Sequence, residues 1–192
     1  DMMLEKNFCH EFFDLLTEYF TQIALKTLKH TDLWQSGLIV YDDMAGNSAP
    51  NFGPDTFAEY LLPRYKKLIA TVRQAGCARV FFHSDGNIGP LLDLLLEAGF
   101  SGFNPLEPRC GLDLLKLREK YGRKMVFCGG VCNTIILPRG DKKEIEAHVR
   151  PLIELGRNGG LIIGQASVST DIAPEIYDYY MSLIRTCGNY SS

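Results

Sequence analysis

The sequence predicts an α/β fold built on a parallel sheet, and three observations predict it. Five short runs, mostly apolar on both faces, recur along the chain. Segments with apolar residues spaced at three and four separate them, and a polar cluster follows each run. Strands buried on both faces and joined through helices are parallel, because a parallel pair needs a crossover of about a dozen residues or more.

Residues 4–30 place Leu4, Phe8, Phe12, Leu15, Leu16, Tyr19, Phe20, Ile23, Ala24 and Leu28 at helical spacing, which predicts an amphipathic helix closing near His30-Thr31-Asp32. The first strand is Leu38–Tyr41, ending in Asp42-Asp43. A loop rich in Gly, Asn and Pro then leads to Asp55, an expected helix cap. The helix from Asp55 to Gln74 contains Pro63, which kinks or divides it, and Gly76 ends it. Strand Arg79–His83 follows, then helix Ile88–Ala98 stopped by Gly99, and strand Phe100–Phe103 stopped by Asn104-Pro105. Helix Leu112–Tyr121 stops at Gly122, and strand Lys124–Cys128 stops at Gly129-Gly130. Helix Lys142–Gly156, strand Gly160–Gly164 and helix Pro174–Arg185 complete the alternation, the last with Pro in its first turn.

At 192 residues, 46% hydrophobic and a net charge of -3, the chain has the material for one core, and residues 1–192 read as a single domain. That charge offers no field for nucleic acid or for an anionic membrane, and Arg64-Tyr65-Lys66-Lys67 falls on a helix face. The longest apolar runs are too short to span a bilayer, and the first residues lack the basic and apolar regions of a leader, so a cytoplasmic protein is expected. The six cysteines, Cys9, Cys77, Cys110, Cys128, Cys132 and Cys187, are scattered rather than dense, which points to reduced thiols.

Strand ends of a parallel sheet share one face, so the polar clusters converge. They comprise Asp42 and Asp43, His83 and Asp85, Asn104 and Glu107, Cys128 through Asn133, and Gln165 and Ser167. The run Val80 to Asn87 is the most informative: an apolar strand hands over to an imidazole, a hydroxyl, a carboxylate and a carboxamide around a glycine. His83 and Asp85 are the candidate catalytic residues. Asp42, Asp43, Asn104, Glu107, Asn133 and Gln165 are the candidate substrate contacts. Four of these have a plainer alternative: turn chemistry for Asp42 and Asp43, an ion pair with Arg109 for Glu107, and a tight turn at Gly129-Gly130 beside Asn133. His10, His30 and His148 lie on helical stretches away from the strand ends and read as surface residues.

His83-Ser84-Asp85-Gly86-Asn87, then Phe103 to Pro108, then Gly129-Gly130-Val131, then Ala173-Pro174-Glu175, resemble in order and spacing the later part of the uroporphyrinogen decarboxylase superfamily. The likeness covers nearly the whole chain. It implies a TIM-type (β/α)8 barrel of which this chain supplies the C-terminal five βα units, with about three N-terminal units absent ahead of the first helix. The arginine-rich clamp and the pyrrole-binding aspartate of the decarboxylases belong to those units.

The resemblance implies, as the family's default activity, a lyase of porphyrin biosynthesis that removes acetate carboxyls from a tetrapyrrole without metal or organic cofactor. The alternative it implies is a methyltransferase linked to a corrinoid (cobalamin) protein partner, which uses zinc to make a thiolate. The decarboxylases carry a histidine between glycines after the last strand, where this chain has Gly164-Gln165-Ala166; Gln165 binds a carboxylate but transfers no proton. The methyltransferases hold zinc with His-x-Cys, where this chain has His83-x-Asp85. A metal set of His83 and Asp85 with Cys132, or with Cys128, follows as an alternative to a hydrogen-bonded pair that only shapes the loop. A small-molecule substrate and a homodimer are expected, with a non-catalytic ligand-binding partial barrel as the remaining alternative.

Overall fold

The computed structural model describes residues 2–189. Helix α1 (Lys6–His30) precedes β1 (Leu38–Tyr41), α2 (Pro54–Tyr60), α3 (Leu62–Gln74) and β2 (Val80–His83). Then come α4 (Leu92–Ala98), β3 (Gly102–Leu106), α5 (Leu114–Tyr121), β4 (Val126–Gly130), α6 (Ile136–Arg139), α7 (Lys142–Gly156), β5 (Leu161–Gly164) and α8 (Pro174–Cys187). All five strands lie in one parallel sheet in the order β1-β2-β3-β4-β5. A doubly wound sheet reverses its strand order at a switch point; this one never does. Right-handed crossovers that always step the same way put the connecting helices on one face, as in a sector of a (β/α) barrel.

Register assigns each side chain to a face. Val40, Phe82, Phe103, Phe127 and Leu161 are mutual partners across the five strands. They point to the helices, where Phe82, Phe103 and Phe127 are fully buried. Each such ring contributes about 1.5–3 kcal/mol by leaving water. Tyr65 of α3 and Phe100 complete an aromatic cluster with Phe82, with centroids 5.0–5.7 Å apart. The opposite face carries the row Ile39, Phe81, Gly102 and Val126, and above it the row Tyr41, His83 and Asn104. It is largely open: Tyr41 is 70% exposed, and Ile162 on β5 is 58% exposed.

Several boundaries differ from the sequence expectation, each for a physical reason. Strand β3 starts two residues later, because the Phe100 ring is consumed by the helix-side core. It also continues through Pro105, where the ladder to β4 shifts register at the residue that has no N–H to offer. Gly129 and Gly130 lie inside β4 rather than ending it. Gly129 has φ +119°, and an added Cβ would sit 2.6 Å from the Leu106 nitrogen, so glycine alone lets β3 and β4 approach. Pro63 divides the second helix at Leu61, and Gly53 with Pro54, not Asp55, begins α2. The side chains that cap helices are Asp113, bonded to Leu115 and Lys116, and Asp141, bonded to Lys143 and Glu144.

The apolar stripe of α1 does not face the core. Only Cys9, Thr21 and Leu28 of this helix are buried, whereas Phe8, Phe12, Leu15, Tyr19, Phe20 and Ile23 are exposed. The helix docks on α2 and α3 through its other contacts: His10 stacks on Tyr60, Arg64 pairs with Asp14 at 2.9 Å, and Lys6 pairs with Glu59 at 3.0 Å. Among the described residues no helix is long and apolar enough to cross a membrane.

Gly129→Ala combines a forbidden backbone region with a clash and should cost about 3 kcal/mol of unfolding free energy. Gly164→Ala, where a Cβ meets nothing within 4 Å, should stay within about 0.5 kcal/mol of the parent. Urea midpoints of the two variants check this.

Candidate functional site

The C-terminal ends of β1, β2 and β3 form the site. Tyr41, His83 and Asn104 are direct register neighbours, so their side chains stand in one row on the open face. The Tyr41 and His83 rings lie 4.4 Å apart. His83 Nδ1 is 2.7 Å from the Asn104 side-chain oxygen. With a carbonyl oxygen as its partner, Nδ1 carries the proton and Nε2 keeps a lone pair facing outward.

Two carboxylates face that nitrogen. Asp43 Oδ1 and Asp85 Oδ1 are each 3.9 Å from His83 Nε2, too long for a hydrogen bond. One donor atom from each of Asp43, His83 and Asp85 lies within 4.8 Å of the others. Both aspartates are exposed, and His83 is half-buried.

The loops that carry them are tied together by backbone donors. The Asp85 N–H donates to Asp43 Oδ1 at 2.9 Å, and the Gly86 N–H donates to Glu107 Oε2 at 2.9 Å. The Met44 N–H donates to the buried Ser84 hydroxyl, which itself donates to the Asp85 carbonyl. Gly86 has φ +84°, and a Cβ there would lie 2.5 Å from the Gly46 carbonyl oxygen, so the β1 and β2 loops close only over a glycine.

Electrostatics follow from this crowding of acids. Burial first, then the charges of Glu107 and Asp43, push the Asp85 carboxyl above its ordinary value; His83 and Arg109 pull it back. The Asp42 carboxyl is also raised, by loss of solvent, while the hydrogen bond from Tyr65 opposes the shift. Tyr65 is raised well above its ordinary value, by burial and then by the Asp42 charge. The phenol thus joins the aromatic core to the strand end.

The remaining sequence-predicted residues lie elsewhere around the edge. Glu107 is buried and meets both of its readings at once, holding Gly86 with one oxygen while the other lies 3.7 Å from Arg109 Nε. Asn133 donates to the carbonyl and hydroxyl of Ser167, clipping the β4 loop to the β5 loop. Gln165 accepts the Tyr180 hydroxyl proton, which turns its carbonyl oxygen toward α8. Cys132 is not in the Asp43, His83, Asp85 group; it contacts Thr134. Burial raises its thiol pKa, but donors from the backbone of Ile136 and from Thr134 and Ile135 outweigh that and lower it. Cys128 is buried, which pushes its thiol up to about 11.

His10 and His148 are not surface residues as the sequence predicts: His10 is half-buried against Tyr60, and His148 Nε2 accepts the Cys132 N–H at 3.0 Å. Burial lowers the His148 pKa. Sequence reasoning also misses Tyr41 and Tyr65. The strand alternation that puts His83 on the open face puts Tyr41 beside it, so that signal was present; the reach of Tyr65 from α3 to Asp42 has no signal in spacing.

Comparison with family models matches residues 1–185 to uroporphyrinogen decarboxylase (URO-D). Comparison with the curated proteins finds no match. Among solved structures, a methyltransferase from Methanosarcina mazei superimposes with a TM-score of 0.71 at 20% sequence identity, over 95% of this chain and 50% of the methyltransferase chain. The chain therefore spans half the length of that structure, and the likeness at this identity is one of fold. With the family model running from the first residue to the last helix, over a monotone parallel sheet whose strand ends carry the expected motifs, the chain belongs to the uroporphyrinogen decarboxylase family.

Proposed function

We propose that this chain carries the acceptor-activating centre of a metal-assisted methyltransferase, with Asp43, His83 and Asp85 as ligands of a divalent cation. The carrying observation is the convergence of three donor atoms within 4.8 Å, around an imidazole whose other nitrogen is already fixed. The donor set fits such a group: a neutral imidazole nitrogen and two carboxylate oxygens suit zinc or manganese. The methyltransferase neighbour supports the reading at the level of fold. Bound there, the cation would supply Lewis acidity that turns an acceptor thiol into a thiolate at neutral pH.

The protein's own residues prepare that chemistry. Asn104 holds the His83 tautomer and ring angle, as a carbonyl does behind many ligating histidines. The Asp85 N–H locks one side of the Asp43 carboxylate, so the loop after β1 and the loop after β2 move as one. Tyr41 offers an exposed ring face beside His83 for the apolar part of an acceptor. A corrinoid protein is the methyl-donating partner that this reading implies.

A second reading is a lyase that acts on a carboxylated tetrapyrrole without metal. The upward shift of the Asp85 carboxyl favours it by direction, since a carboxyl raised by burial and by neighbouring acids is the better proton donor to a ring carbon before carbon dioxide leaves. The exposed apolar residues of α1 further support self-association, because apolar area left in water favours burial against a like surface.

Calorimetric titration with Zn²⁺ or Mn²⁺ should give saturable binding. His83→Ala and Asp85→Asn should weaken it by about 100-fold or more, and Asn104→Ala by about 10- to 100-fold. Absence of saturable binding in the native protein would sink the methyltransferase centre, and metal-free turnover of an acetate-bearing porphyrinogen would then establish the lyase. Light scattering should report a dimer that Phe12→Glu with Leu15→Glu converts to monomer; an unchanged mass in the double variant would count against the α1 face.

A further inference from the structure

The opposite edge of the sheet holds a second feature. A 410 Å³ cavity opens where β2, β3 and β4 begin, lined by Arg73, Arg79, Arg123 and Lys124 together with Ser101 and Phe81. Four cations from three separate segments meet there, and among the described residues no acidic side chain lines the cavity. Arg73 donates to the Gly99 carbonyl at 2.6 Å. The side chains of Arg79, Arg123 and Lys124 have no hydrogen-bond or ion-pair partner among the described residues. Elsewhere the chain pairs its cations freely: Lys6, Arg64, Lys66, Lys120, Arg139 and Arg150 each meet a carboxylate.

An uncompensated convergence of like charges in a chain of net charge -3 is unfavourable for the fold by itself. It becomes favourable when an anion fills the cavity. The guanidinium forks match oxygen pairs of phosphate and carboxylate, and the lysine adds a mobile point charge. Ser101 accepts the Val80 N–H through its Oγ, which leaves the hydroxyl proton free to donate. Approach from several elements suits an anion with oxygens in several directions, and the volume accommodates more than a single small ion. We propose that this cavity binds a multivalent oxyanion, a diphosphate or a polycarboxylate group, at the end of the sheet remote from Asp43, His83 and Asp85.

Calorimetry with sodium pyrophosphate and with citrate, at about 0.05 M and about 0.3 M salt, tests this. We expect saturable binding of at least one anion, weaker at the higher salt, and the tighter of the two identifies a phosphate or a carboxylate ligand. The triple variant Arg79→Ala, Arg123→Ala, Lys124→Ala should lose about tenfold or more in affinity, whereas Lys26→Ala with Lys29→Ala on α1 should not. Without anion, the triple variant should melt at the same temperature as the native protein or higher, since only repulsion has been removed. No saturable binding of either anion, undiminished affinity in the triple variant, or a lower melting temperature of that variant without anion would each overturn the proposal.

Discussion

The register of β1, β2 and β3 is the constraint on which the rest of the site depends. Because Tyr41, His83 and Asn104 are paired across three parallel strands, an aromatic ring, an imidazole and a carboxamide share one row. A slip of one residue would send all three into the helix layer and bring Val40, Phe82 and Phe103 out to the open face. Burial of those apolar side chains therefore fixes the face on which the imidazole stands, and the bond to Asn104 then sets its ring angle. The row beneath continues the logic: Phe81 covers Gly102, where an added Cβ would also approach the Val126 carbonyl oxygen to 2.7 Å. Phe81 thus closes the sheet under His83 and lines the basic cavity below.

Parallel strands also sort charge by sheet edge. Asp42, Asp43, Asp85 and Glu107 follow strand C-termini, and Arg79, Arg123 and Lys124 precede strand N-termini. Arg118 adds to the basic edge by donating to the carbonyls of Gly159 and Gly160 ahead of β5. A net charge of -3 conceals this polarity entirely. Its consequences are local: burial and then neighbouring acids raise the Asp85 carboxyl at one end, and at the other Arg79 and Arg123 have no acid to pair with among the described residues.

Fold class was legible because apolar runs and glycine stops are dictated by backbone chemistry: Gly99 and Gly122 end helices at φ +103° and +57°. Boundaries were less so. Whether Phe100 belongs to a strand or to the core depends on Tyr65 and Phe82, which are remote in sequence, and whether Gly129 ends a strand depends on how closely Leu106 approaches. In the site, His83, Asp85 and Asp43 were all legible as polar residues at strand ends, but Asp43 was read as a substrate contact and its place in one donor group with the other two was not legible. Asp43 joins them because Gly86 lets the β1 loop close over the β2 loop, a contact between two loops that periodicity does not encode. Cys132 was suggested by residue type, yet its loop is organised around Thr134 and His148 instead.

Asp85 stands where the resemblance to the methyltransferases would put a cysteine, and on the proposed reading that carboxylate sets which cations the cluster would take. A cysteine ligand favours softer metals, and a metal bound to it draws off its proton. A carboxylate accepts harder cations, and its charge is set by its neighbours. Here burial first, and then the charges of Glu107 and Asp43, raise the Asp85 carboxyl, so the same residue would be a better proton donor without a cation and an anionic ligand with one. Glu107 cannot be dispensed with to relieve that repulsion, because it holds the Gly86 N–H that keeps the loop closed. The cation and the proton are therefore alternative ways of neutralising one cluster of acids, and the affinity of the cluster for a divalent ion separates the two proposed readings of the site.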